Sequence, residues 1–419
     1  MEAAAMWDRL WINGRLATMA GDAGFGLIDA GAVASADGRI AWVGAVEDLP
    51  SPPQELAGEV HDLGGHLITP GLVDPHTHFV YWGDGAADFE VLAAGGGRPE
   101  LEAIGGGVQG MVRITRQASE PQLYDASAGR LRRLIAAGVT TVESKSGGGL
   151  DMDTELRQLR VNRALGRDFP VDLVSTFLGA HGLAPEYAGR RDAYVDFLCD
   201  AVLPAAIGEA LVDQVDGFCD AVGFSHAQMA RQFDIAAAHD LPVKLHADQY
   251  SDFSAGALVA RYRGVSADHL EYASPETVAA MAAAGTVATL LPGAHWTLHE
   301  TRKPPVALFR ELRVPMALAT NCNPVSSPTT SPTRMMHMAC HLFGLSPEEA
   351  LAGFTRNGAR ALGLQADRGT LEKGKLADLA VWDARTPVEI MYPLDGGRCL
   401  LTVKRGQVSH DAGIQEASA

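Results

Sequence analysis

From about Leu67 to about Leu364 the chain repeats one unit, a short apolar run of strand character followed by a longer amphipathic segment. Eight such runs can be counted, ending at His78, Lys145, His181, Cys219, His246, His269, Pro292 and Asn321. Strands that alternate with helices build a parallel sheet, and eight units close it into a barrel. Helix starts lie between them, as at Ser274-Pro275-Glu276 and in the capping box Ser346-Pro347-Glu348-Glu349. The sequence therefore predicts an α/β protein, a (β/α)8 TIM-like barrel over residues 67–364. Its polar residues gather at the C-terminal strand ends, the face on which such barrels carry active sites.

The flanking segments have another texture. Leu10-Trp11-Ile12-Asn13-Gly14 and Gly38–Gly44 are short apolar runs bounded by Gly, Asp and Asn, which read as strands joined by turns. The same pattern returns in Gly369-Thr370-Leu371, Ala377–Asp383 and Leu401–Lys404. Residues 1–66 and 365–419 are expected to form one small β-sandwich domain from two distant pieces. A chain of 419 residues can bury a large core beside such an accessory. The formal charge of −17, with no basic tract, argues against a nucleic-acid partner. Five cysteines without a CxxC pair fit a reducing cytoplasm. No apolar run reaches the roughly 18 residues of a membrane span.

Asp74-Pro75-His76-Thr77-His78 carries the strongest chemical signal. Residues two apart on a strand share a face, so His76 and His78 can offer two imidazoles to one ion. His181, His246 and His269 close three further strands, which brings five histidines to one rim. Three imidazoles with an oxygen ligand from the eighth strand, and one position left to water, make a catalytic metal site. Other features are read as structural. The glycine-rich stretch Gly95–Gly110 lacks a GK[ST] and reads as a loop over the pocket rather than a phosphate cradle. Arg130, Arg132 and Arg133 read as a solvated helix face, His337 and His341 as a pair without a third ligand, and Met335, Met336 and Met338 as packing.

Pro70–His78, Gly369–Leu379 and the eight-strand plan together resemble the amidohydrolase superfamily, and within it most closely the imidazolonepropionases, ring-opening enzymes of histidine metabolism. Lys145-Ser146-Gly147, Phe177–His181, Ser266–Tyr272, Leu290–Ala294 and Asn323-Pro324 extend the likeness over nearly the whole chain. The resemblance implies one divalent ion per chain, zinc first and iron second, on His76, His78 and His246 with Asn321 as the oxygen ligand. It implies that His269 moves protons, that Gln249 holds the water and that His181 touches the substrate ring. The water would attack the carbon between the two nitrogens of an imidazolone or imidazolidine ring bearing a propionate. Relatives are commonly homodimers.

The departures bear on substrate and base. The family has an aspartate at Asn321, and an amide is a weaker ligand that cannot accept a proton. Gly85 stands where the family places an arginine that grips the substrate carboxylate, and Gly148 where it places a tyrosine. Arg98 could restore the guanidinium from a nearby loop, and His295, Trp296 and Asn323 complete the expected substrate contacts. Two alternatives follow. One is a desulfhydrase acting on 3-(5-oxo-2-thioxoimidazolidin-4-yl)propionate and releasing sulfide, with Gly148 making room for sulfur. The other is an impaired or non-catalytic barrel kept as a scaffold.

Overall fold

The computed structural model describes residues 6–413, and within them every side chain except those of Arg98 and Glu102. The N-terminal segment gives β1 (Trp7–Ala17), β2 (Leu27–Ala36), β3 (Arg39–Ala45), β4 (Ala57–Asp62) and β5 (Leu67–Pro70). Eight strands of the barrel follow: β6 (Leu72–Asp74), β7 (Val139–Lys145), β8 (Asp172–Ala180), β9 (Gln214–Cys219), β10 (Lys244–Ala247), β11 (Ser266–His269), β12 (Val287–Leu290) and β13 (Met316–Leu318). The chain ends in β14 (Leu379–Trp382), β15 (Cys399–Lys404) and β16 (Gln407–Asp411). The last three join the first five in one sheet of order β16-β15-β14-β5-β1-β2-β3, with β4 also on β1. This is the small domain expected from the two ends. Gly369-Thr370-Leu371 forms no strand there. Its backbone only touches the sheet, Leu371 N–H donating to Thr18 O at 2.8 Å while the side chain fills the sheet core.

β5 pairs with β1 and antiparallel with β14, so Leu67–Pro70 lies in the small sheet. Only Gly71 separates it from β6, and a Cβ at that position would stand 2.4 Å from the Thr140 side chain. The junction needs glycine because the chain crosses there between two packed layers.

The barrel strands are parallel and in consecutive order from β6 to β13. β7 is buried along its whole length and rich in β-branched residues, as a strand covered on both faces requires. Helices begin where the caps predict. Ser274 accepts from Thr277 N–H ahead of Pro275–Ala284, and Ser346 forms its capping box with Glu349. Among the described residues no helix is long and apolar enough to cross a membrane.

The seam between β13 and β6 is closed by the segments just beyond the strands. Asn321 N–H donates to His76 O (3.0 Å) and His78 N–H to Cys322 O (3.1 Å). Asp74 accepts from Thr320 N–H (3.0 Å) and Oγ1–H (2.6 Å). β6 thus ends at Asp74 rather than at His78, because Pro75 has no N–H to give the ladder. β12 and β13 likewise stop at Leu290 and Leu318, short of the expected Pro292 and Asn321.

Candidate metal centre and active-site cavity

His76 and His78 leave the end of β6, His181 follows β8, His246 lies within β10 and His269 closes β11. All five converge. His78 Nε2 stands 3.2 Å from His76 Nε2 and 3.4 Å from His246 Nε2. Nitrogens held about 2.05 Å from a tetrahedral ion stand about 3.3 Å apart, so both separations from His78 in this tripod match those of ligands on one ion. His269 and His181 complete two overlapping clusters, His76-His246-His269 and His78-His181-His246, with ligand atoms within 4.8 Å of one another.

The far nitrogens are fixed from below. His76 Nδ1 lies 2.6 Å from Asp268 Oδ2, and His246 Nδ1 lies 3.3 Å from Asp216 Oδ1. Each carboxylate holds the proton on Nδ1 and turns the Nε2 lone pair inward, the arrangement that orients metal-binding imidazoles. Burial and the surrounding cations hold His76 and His78 well below the usual histidine pKa, which keeps them neutral donors.

Below the carboxylates lies a charge network at zero exposure. Lys145 Nζ reaches Glu143 (2.5 Å) and Asp216 (2.8 Å), and Lys244 Nζ reaches Asp268 (3.3 Å) and Pro75 O (2.6 Å). Burial alone would lower the Lys145 pKa, but Asp216 and Glu143 outweigh it and raise it. Three carboxylates against two ammonium groups leave one excess negative charge beneath the histidines, a field suited to a cation. Asp216, Asp268, Glu143 and Lys244 were not picked out as site residues from the sequence. The signal that could have found them is a charge inside an otherwise apolar strand, since a buried charge requires a partner.

Above the tripod opens a cavity of about 330 Å3. His181, Gln249, His269, Asn321 and Asn323, all named above from the sequence, line it. His181 gives Nδ1 to Gly147 O (3.0 Å), and burial lowers its pKa to about 4. His269 Nδ1 and Glu271 Oε2 are both buried without a hydrogen bond and face each other at 3.9 Å. Burial, with help from Glu300, pushes the Glu271 pKa up to about 8. Asn323 mainly builds its own loop, its Oδ1 accepting from Val325 and Ser326 N–H. The glycine-rich stretch does cover the cavity, through Gly106, Gly107, Val108 and Gln109.

Three expected substrate contacts are placed elsewhere. His295 is buried with its ring 5.1 Å from Phe343, and the neighbouring Trp296 is 64% exposed. Both sit on the short helix Pro292–Thr297, and neither lines the cavity. Gly148 is absent from the lining as well. A Cβ there would meet Gln158 Nε2 at 2.6 Å, so the Gln158 carboxamide, and not added cavity space, stands beside position 148. Arg98 opens the helix Arg98–Ala103, but its side chain is outside the described residues. Arg130 is a further correction. It is 8% exposed, not solvated, and its Nη1 donates to Phe79 O (3.0 Å) and Tyr81 O (2.9 Å).

The sequence model of the amidohydrolase family matches residues 67–409. The chain belongs to the amidohydrolase family. Its histidine cluster fits the metal site on which that family relies. The chain is 53% identical over 386 residues to an imidazolonepropionase of Caulobacter vibrioides, covering 92% of this chain and 96% of the relative. With an imidazolonepropionase of Ralstonia nicotianae it shares 52% over 401 residues, 96% and 98% of the two chains. Among solved amidohydrolase-like folds, 5-methylcytosine deaminase from Klebsiella pneumoniae superimposes with a TM-score of 0.73 at 18% identity, covering 98% and 99%. A zinc complex of atrazine chlorohydrolase from Arthrobacter aurescens gives 0.70 at 17%, covering 98% and 97%.

Proposed function

We propose that this amidohydrolase opens an imidazolone ring carrying a propionate, by hydrolysis of a ring C–N bond. The observation that carries the reading is the Nε2 tripod of His76, His78 and His246, in a chain about half identical over nearly its full length to curated imidazolonepropionases. The tripod would hold one divalent ion, zinc or iron, with the Asn321 amide oxygen as a neutral fourth donor. Such an ion supplies hydroxide at neutral pH by acidifying water.

The chain's own groups do the rest. Asp268 and Asp216 lock the imidazole tautomers. The Gln249 carboxamide, at the cavity wall, orients the attacking water by donating or accepting a hydrogen bond. His269 takes the water's proton and returns it to the departing ring nitrogen, a task that the Asn321 amide cannot perform. Nδ1 of His181 is occupied by Gly147 O, so its Nε2 is the atom presented to the ring.

Elemental analysis together with turnover tests the reading. About one ion per chain, with conversion of 4-imidazolone-5-propionate to a ring-opened product, is expected. The product's NMR spectrum identifies the carbon attacked: a formamidine with a new carboxylate marks the ring carbonyl, an N-formyl amide the carbon between the nitrogens. Sulfide release from the 2-thioxo ring with no opening of the oxo ring would sink the proposal, as would failure to hold any ion.

A further inference from the structure

The chain carries 51 acidic residues and a net charge of −17, yet among the described residues no aspartate or glutamate lines the cavity. Among the same described residues one guanidinium does, that of Arg191. We infer that Arg191 is the specificity residue that receives the carboxylate tail of the substrate.

The cavity is graded from floor to mouth. His78, His246 and His269 lie at 3–6% exposure at the bottom, whereas Arg191 is exposed at the rim. A ligand with a flat polar ring and an anionic tail matches that gradient, ring down and carboxylate outward. Arg191 opens the helix Arg191–Phe197 in the segment that follows β8 and His181. Its Nη2 donates to Val222 O (3.2 Å), in the loop after β9, and this fixes the fork over the cavity wall formed by Phe218, Val222 and Gly223. No carboxylate pairs with it among the described residues, in contrast to Arg116, Arg160, Arg163 and Arg310, each of which holds an ion pair. An unneutralised guanidinium beside a cavity with no acid among its described residues is matched to a carboxylate by charge and by geometry.

Position 85 cannot supply the same group. A Cβ at Gly85 would fall 1.8 Å from the backbone oxygen of Pro324, so the loop after β13 occupies the volume through which a side chain would leave. Val325 and Ser326 of that loop line the cavity.

The inference rests on the proposed reaction for the ring but not for the charge, and binding can be read without turnover. The probes are imidazole-4-propionate and its primary amide, titrated into the metal-loaded protein. Arg191→Gln is expected to weaken the carboxylate about 10- to 100-fold while leaving the amide within about twofold, and in turnover to raise KM with little change in kcat. Arg98→Gln is expected to change neither ligand. Equal losses for acid and amide would reduce Arg191 to a prop for the Val222 loop and overturn the inference. A selective loss of the acid in Arg98→Gln, with Arg191→Gln unaffected, would overturn it in favour of Arg98. Should the wild type bind the acid tightly through Arg191 but open no ring, the proposed reaction fails and this inference stands.

Discussion

In the proposed metal centre Asn321 differs from an aspartate by one atom. Its backbone sits at φ +50°, a left-handed conformation that asparagine tolerates, with its N–H spent on the His76 carbonyl. Only the side chain is available to the site, and it brings no charge. Asn321→Asp should therefore tighten ion binding at least about tenfold in a metal-buffered titration, and it should raise kcat by adding an acceptor for the water's proton. Asp268 acts from beneath. Asp268→Asn frees the His76 tautomer, and ion affinity should fall about 10- to 100-fold with the secondary structure intact by circular dichroism. The histidines were legible because each stands at the end of an apolar strand, where nothing structural calls for an imidazole. Asp216 and Asp268 were not, since their partners arrive from other strands. At Gly85 and Gly148 the sequence shows only a lost side chain, whereas the structure shows Pro324 and Gln158 in the vacated space.

At the scale of elements, the helix Glu120–Ala136 does more than cover β7. Arg132, about 200° round the helix from Arg130, faces solvent, as does Arg133, while Arg130 turns inward beneath Tyr81, its Cζ 3.4 Å from the ring centroid. There it ties down the segment that carries His76 and His78 out of the barrel. Arg130→Ala leaves the carbonyls of Phe79 and Tyr81 short of a donor. A loss of about 2–3 kcal/mol in urea unfolding is expected, together with faster escape of the bound ion into a chelator. Helix starts were readable because a cap is a local arrangement of a few residues, as at Ser274 and Ser346. Strand ends were less so. Where β6 stops depends on the missing N–H of Pro75 and on the closing bonds from Thr320 and Asn321, which the strand's own residues do not reveal.

The whole molecule is held together at Asp172, near the start of β8, which accepts from Arg368 Nη1 (2.7 Å), Lys404 Nζ (2.8 Å) and Arg405 Nη2 (3.1 Å). It joins the barrel to the small sheet. Burial alone would raise its pKa, but Lys404 and Arg368 bring it down to about 2. A depressed carboxylate stabilises the fold fully above the unfolded pKa of about 4 and loses that contribution as pH falls toward 2, here about 2 kcal/mol. Asp172→Asn should remove that amount at pH 7, and its stability should change less than the wild type's between pH 4 and 2 in denaturant titrations. The repeat of strand and helix made the barrel legible, and the recurrence of sheet texture at both ends made the small domain legible. That β5 belongs with the latter emerges only from its pairing with Pro70 opposite Leu379. This pairing sets an order of events during synthesis. β5 is the bridge between β1 and β14, so the small sheet cannot be completed until almost the entire chain has left the ribosome. Until then β5 offers an unpaired apolar edge to any neighbouring nascent chain, and a message cut short before β14 yields a product that never covers it.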